Sequence, residues 1–384
     1  MNRSLKLFLI LLFLTTGSQA QFLMLQSKDS LNNKPKRQFY TTAWVKMNGI
    51  FDYMGISNTA AMSLPEIPTD GRSPDSQFSM DMFQTRLIFA SAFQTKRFGE
   101  IFSYIETDFY GNNGGGLRLR HAYIRFKNWR IGQTWSCFTD EESWPNVTDF
   151  DGPSTGSWVR HVQLGYFIRP SSNTDILISI ESPYADYNRY LQLDSTLENT
   201  SQTYPDLHTH FEQRWINGHV QIAAVYRFIE FKAQNTFDHI PGYGINISTS
   251  QAIGKRDKAI AQLVVGKGIS RYLVSLGGAG WDAAPDKSGN IIALPVWGGY
   301  ISYQHHWGSS DFNSTLLAGY AVVENPFNNP SRYLFKGFNG SANIYWQPVG
   351  PLSFAVEGIY GTHEDEFANF GDNFRLQFVF EYSF

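Results

Sequence analysis

The last dozen residues of the chain alternate without a break. Phe374, Leu376, Phe378, Phe380, Tyr382 and Phe384 fall on one side of an extended chain, and Arg375, Gln377, Val379, Glu381 and Ser383 on the other. A period of two sustained over this length specifies a β-strand and excludes a helix. Strands of soluble proteins average about 5–6 residues, whereas a strand crossing a membrane needs about 9–11. A row of six large apolar side chains on a water-exposed edge would pair with other chains; facing hydrocarbon, the same row is stable. Hydrocarbon cannot hydrogen-bond to exposed N–H and C=O groups, so a sheet within it must close on itself.

The pattern recurs along the chain. Val45, Met47, Phe51 and Tyr53 alternate with Lys46, Asn48 and Asp52, and Val220, Ile222, Ala224, Tyr226 and Phe228 alternate with His219, Gln221 and Arg227. Similar runs occupy 83–93, 162–168, 176–180, 207–215, 243–249, 259–267, 296–307, 312–323, 338–346 and 352–360, separated by clusters of Gly, Pro, Asn and Asp. The expectation is an all-β fold, a transmembrane up-and-down antiparallel β-barrel of about 16 strands, which is wide enough to hold water. Aromatics at 16% and charged residues at only 17%, against about 25% in an average soluble domain, fit that class. The net charge of −3 leaves no basic footprint, so no nucleic-acid partner is expected. The single cysteine, Cys137, excludes an internal disulfide framework.

The N-terminus reads as an export signal over residues 1–20: Arg3 and Lys6, an apolar run over 7–14, then Ser18-Gln19-Ala20 as a cleavage site. The run is too short to span as a helix, which takes about 20 residues. The chain thus divides into a signal peptide (1–20), a short polar segment (21–38) and the barrel (39–384). The expected location is the outer membrane of a bacterium, with its lipid as one partner.

One connection stands out chemically. From Thr139 to Trp158 there is no alternation, and the stretch carries Asp140, Glu141, Glu142, Asp149 and Asp151. Long connections without regular structure are often functional; this one is either an exposed extracellular loop or a constriction folded into the lumen, and the inward fold is the expectation. The strands around it carry Arg86, Arg118, Arg120, Arg125, Arg130 and Arg160, expected to face the carboxylates Glu106 and Asp108 across the bore. Cationic and anionic rows facing across water would bias passage by charge, and the arginine fork suits carboxylate solutes. These residues, with Asp140, Glu141, Asp149 and Asp151, are the candidate pore-lining set. Parity leaves two alternatives for Arg118 and Arg120, which share a face with Ala122 and Ile124 rather than with His121, Tyr123 and Arg125. Either a bulge near residue 121 switches faces, or the two arginines sit above the membrane rim. His208, His210, Glu212 and Arg214 share a strand face and read as lumen polarity, and His363-Glu364-Asp365-Glu366 as an acidic loop. No metal, cofactor or catalytic residue is expected. Trp44, Trp129, Trp135, Trp158, Trp215, Trp307 and Trp346 are expected in the interfacial girdle.

Leu117-Arg118-Leu119-Arg120-His121-Ala122-Tyr123, then Gly132-Gln133-Thr134-Trp135-Ser136, then Asp149-Phe150-Asp151-Gly152-Pro153 stand in an order and spacing that resembles the DcaP-like outer-membrane porins, most closely over residues 78–170. The Phe-terminated last strand is similar to the assembly signal of bacterial outer-membrane barrels. The resemblance implies a homotrimeric, 16-stranded porin allowing passive diffusion of small hydrophilic solutes, favouring anionic ones such as dicarboxylates. The expected inward fold of the Thr139–Trp158 connection rests in part on this resemblance. Members of that family often carry an N-terminal coiled coil, which residues 21–37 are too short and polar to form. Two other readings stay open: an outer-membrane barrel enzyme of phospholipase type, and a surface adhesin or receptor using loops 181–206 and 277–294.

Overall fold

A computed structural model of the chain describes residues 23–28 and 35–384, apart from 73, 113, 188–196, 199–200, 234–235, 287, 289, 309–310 and 327–330. The expected signal peptide lies outside the described residues.

The architecture is a closed antiparallel barrel of sixteen staves. In chain order they are β1 (Pro35–Asp52), β2 (Arg86–Thr95), β3 (Gly99–Gly111), β4 (Gly116–Phe126), β5 (Trp129–Trp135), β6 (Arg160–Ser171), β7 (Thr174–Glu181) and β8 (Asp206–Trp215). The circuit continues through β9 (Gly218–Ala233), β10 (Thr236–Ile253), β11 (Asp257–Lys267), β12 (Pro295–His306), β13 (Phe312–Glu324), β14 (Tyr333–Val349), β15 (Leu352–Asp365) and β16 (Phe370–Ser383). Each stave pairs with the next in sequence. The ring closes where β1 meets β16, with Val45 opposite Tyr382 and Asp52 opposite Arg375. Leu23–Lys28 adds a short strand along β1 beyond the end of β16, and Gln77–Asp81 prolongs the β2 position along the far end of β1.

The alternation maps onto the two faces as read from sequence. On β16, Phe374, Phe378, Phe380 and Tyr382 point outward and are exposed, while Arg375 and Gln377 are fully buried inside. The lipid belt makes a direct prediction. Phe378→Arg, which places a cation in the belt, should cost about 2–4 kcal/mol of barrel stability at midplane depth, read as a lower unfolding midpoint in urea.

One end of the barrel is closed by tight turns, such as 127–128, 172–173, 216–217 and 350–351, and the other carries long connections, 136–159 and 268–294 among them. In outer-membrane barrels the short turns are periplasmic and the long loops extracellular. Trp129, Trp215, Trp307 and Trp346 are exposed on the short-turn side, as a girdle requires. Trp44, Trp135 and Trp158 depart from the expectation, since they line a chamber inside the barrel.

The parity alternatives resolve as a bulge. Glu106 pairs with His121 but Thr107 pairs with Leu119, so Arg120 is the extra residue on β4. Above it Arg118 and Arg120 face inward, below it His121 and Tyr123 do, and both Arg120 and His121 are buried. A β-bulge places two successive side chains where one would stand and re-aims the strand.

Candidate functional site

The connection from β5 to β6 folds into the bore and is hydrogen-bonded to the wall along its whole length. Cys137 N donates to Glu181 on β7 at 2.7 Å, and the Cys137 carbonyl lies 3.0 Å from His210 Nδ1 on β8. Asn246 on β10 donates to the Phe138 carbonyl at 2.6 Å. Asp140 accepts from His219 on β9 at 2.8 Å and from Ser248 on β10 at 2.6 Å, which holds its carboxyl below the ordinary carboxylate range against the opposing effect of burial. Tyr300 on β12 donates to the Ser143 carbonyl, and Asn343 on β14 to that of Asn146, whose own amide reaches Asn313 on β13. At the tip, the Thr148 carbonyl accepts from Lys46 on β1 and Gln377 on β16, and its N–H donates to Glu357 on β15. On the return, Ser157 N donates to Gln262 on β11 at 2.6 Å. The loop is therefore bonded to every stave from β7 round to β1. Within it, Gly152 adopts φ +68°, and a Cβ there would meet the Trp144 ring at 2.6 Å. Only glycine takes that conformation freely.

Two adjoining chambers lie between the loop and the wall of β2 to β6. A chamber of about 310 Å³ at loop level is lined by Lys46, Arg86, Arg120 and Arg160 from the wall and by Glu141, Asp149 and Asp151 from the loop. A second chamber of about 360 Å³ shares Arg86, Arg120, Trp135 and Glu141 with the first and continues past Arg125 and Arg130 toward the periplasmic turns. Arginines thus stand at every level of one side. Gly132 makes the close wall possible: at φ +125°, its Cβ would lie 2.2 Å from the Ala122 carbonyl oxygen.

The wall is not uniformly charged. Arg118 forks Asp108 at 3.0 and 2.6 Å. Arg120 bridges Glu106 at 2.7 Å and Asp108 at 3.0 Å, and Arg86 lies 3.5 Å from Glu106. Glu106 and Asp108 therefore stand on the arginine side, interleaved with the cations, and the opposing acids come from the loop. Arg125 lies over Phe102 and Tyr123, with centroids at 4.7 and 5.8 Å, and Arg160 covers Trp135 at 4.9 Å. Arg130 donates its hydrogen bonds to the neutral Gln163 side-chain oxygen. Stacking of this kind fixes a guanidinium plane without cancelling its charge.

The model of the DcaP outer membrane protein family matches residues 23–384. The chain belongs to the DcaP outer membrane protein family. The DcaP-family barrel is similar in fold to the outer membrane channel DcaP of Acinetobacter baumannii, with a TM-score of 0.79 at 20% identity over 94% of this chain and 99% of that one. It is also similar to an anion-selective porin from Comamonas acidovorans (TM-score 0.61, 9% identity, 91% and 100% covered) and to a loop-deletion form of OmpT from Vibrio cholerae (TM-score 0.57, 8% identity, 90% and 99% covered). No curated protein matches it in sequence. The DcaP-family chain is thus a β-barrel of the bacterial outer membrane, in a family of channels and porins.

Of the acids singled out in this DcaP-family chain, Glu141, Asp149 and Asp151 face the arginine wall, whereas Asp140 points into the far wall as an anchor. The sequence reading missed Lys46, Trp144, Tyr104 and Gln163, all of which lie at the passage or hold one of its arginines. Gln163 was within reach of the alternation, since it stands opposite the outward Val162 and Leu164; its bond to Arg130 was not. The long segment after β11 also differs from an exposed surface loop. Ile269, Tyr272, Leu273, Leu276 and Trp281 are buried inside the mouth, packed on inward Ala223, Val225 and Ile229 of β9. Val274 and Ser275 donate to the constriction loop at Gly156 and Ser154. The ligand atoms of Glu142, Glu212 and His219 lie within 4.8 Å of one another, but Arg214 is already held there, 2.7 Å from Glu212 and 3.2 Å from Glu142. A metal ion would have to displace that resident cation.

Proposed function

We propose that this barrel is a passive diffusion porin for small hydrophilic solutes that favours anions, dicarboxylates among them, with no enzymatic step, exported on residues 1–20 and assembled as a homotrimer. The observation that carries the reading is the lining of the two chambers beside β2 to β6, where Arg125, Arg130 and Arg160 form no salt bridge among the described residues and Glu141 and Asp151 face them only at longer range. A row of cations without a contacting carboxylate raises the local anion concentration and lowers the barrier to anion entry. The printed name of the similar Comamonas acidovorans barrel, an anion-selective porin, supports the same preference.

Two observations favour a trimer. One solved form of the similar Vibrio cholerae OmpT is a trimer. On the outward face of β2 and β3, Ser91 and Ser103 hydrogen-bond at 2.9 Å, with Thr41 diagonal to Ser91 on β1. A polar strip in an otherwise apolar belt suits contact with another protomer better than contact with lipid.

The test is the reversal potential of the purified protein in planar bilayers under a KCl gradient. The expected result is stepwise conductance with a potential of the sign set by chloride. Absence of steps would defeat the pore; a potential of the cation's sign would defeat the preference.

A further inference from the structure

Six arginines rise along the wall, and they differ in what accepts their hydrogen bonds. Arg86, Arg118 and Arg120 share Glu106 and Asp108. A cation held by a carboxylate at 2.6–3.0 Å presents a dipole to a passing solute, not a charge. Arg130 sits in the same wall, next to Arg125 across the β4–β5 ladder, yet its fork is closed by an amide. Gln163 Oε1 accepts from Arg130 Nε at 3.2 Å and from Nη2 at 2.8 Å. The other end of that amide is fixed, since Gln163 Nε2 donates to the Trp135 carbonyl at 2.7 Å. Gln163 is buried, faces inward on β6 and has its orientation determined by both bonds. The Phe167 ring closes the arrangement, 5.4 Å from the Arg130 guanidinium.

Building on the anion-diffusion reading, we infer that Gln163 is a positioning residue that determines selectivity: it pins the Arg130 fork with a neutral acceptor, leaving an uncancelled cation beside Arg125 in the periplasmic chamber. A glutamate at 163 has the same size and an oxygen for the same fork, but it gives up the bond to the Trp135 carbonyl, and its charge would offset that of Arg130. The sites that carry selectivity are then Arg125, Arg130 and Arg160. Arg118 and Arg120 are balanced by Asp108 and Glu106 as scaffolding of the bulge, and Arg86, 3.5 Å from Glu106, is the third cation on those two carboxylates.

The test compares three changes between amide and carboxylate in the full-length protein, each reading the KCl reversal potential at pH 7.5. Gln163→Glu should shift the potential toward the cation's sign. Glu106→Gln, which uncovers charge on Arg86 and Arg120, should shift it the other way. Gln304→Glu makes the same chemical change in the lumen beside Asn313 and Tyr345, away from the arginine wall, and should give the smaller shift. If Gln163→Glu and Gln304→Glu shift the potential equally, or if Glu106→Gln leaves it unchanged, the assignment is wrong. Folding of each variant is checked by its heat-modifiable mobility. If Gln163→Glu does not fold, Arg130→Gln replaces it, and must shift the potential in the same direction and by more than Gln304→Glu. A wild type of cation sign would instead overturn the anion-diffusion reading itself, before any variant is compared.

Discussion

Arg375→Ala is expected to remove about 3–5 kcal/mol of barrel stability, because it strands a buried carboxylate. Arg375 and Asp52 are both fully buried and form a fork at 2.8 and 2.9 Å, with a further bond from Arg375 to the Asn58 carbonyl. They face each other across the β1–β16 seam, where the first and last staves meet. Removing Arg375 leaves the Asp52 carboxylate buried with the neutral Asn373 amide, 3.4 Å away, and no cation in salt-bridge contact among the described residues. Removing both is far milder: Asp52→Leu with Arg375→Leu should recover most of the loss, since an apolar pair of similar volume avoids the desolvation cost. Urea unfolding of the detergent-folded protein measures all three. Equal midpoints for the single variant and the wild type would show that the seam does not depend on this pair.

The second large effect is on selectivity and pH. Burial pushes the Asp149 carboxyl up to about 7 and that of Asp151 up to about 6, with Arg375 opposing the shift at the first and Arg160, Arg118 and Arg120 at the second. A carboxyl with a raised pKa gains its proton earlier as the pH falls. At pH 8 both are ionised and offset part of the arginine wall; at pH 5 both are neutral. Lowering the pH from 8 to 5 should therefore increase anion preference, most steeply between 7 and 6. Asp149→Asn with Asp151→Asn should hold the acid value at every pH. A wild-type reversal potential that is flat over this range would remove the two aspartates from the passage.

How much of this could be read from sequence depends on whether a feature is local. The outward face was legible because hydrocarbon imposes one chemistry on every second residue, as in Phe374 to Phe384. The inward face was harder, since Ala223, Val225 and Ile229 are apolar too: they form a core with the loop that packs on them, and that packing is set by residues some 50 positions away. The bulge at Arg120 was visible as a broken parity, but only the register with Glu106 and Thr107 placed it. Glu106 and Asp108 were identified as lumen acids, yet their side of the bore follows from the pairing of β3 with β4, which no spacing reveals. The charge state of the wall lay one step further away, in whether a guanidinium meets Glu106 or Gln163.

The anchoring of the constriction loop on every stave from β7 round to β1 has a consequence for traffic. The opening is off-axis, so there is no midstream through which a molecule can slip untouched. At physiological salt the Debye length is about 8 Å, and a route hugging one shore keeps its travellers inside that distance of the cations. Added electrolyte should then dull discrimination less than it would in a centred bore of equal area.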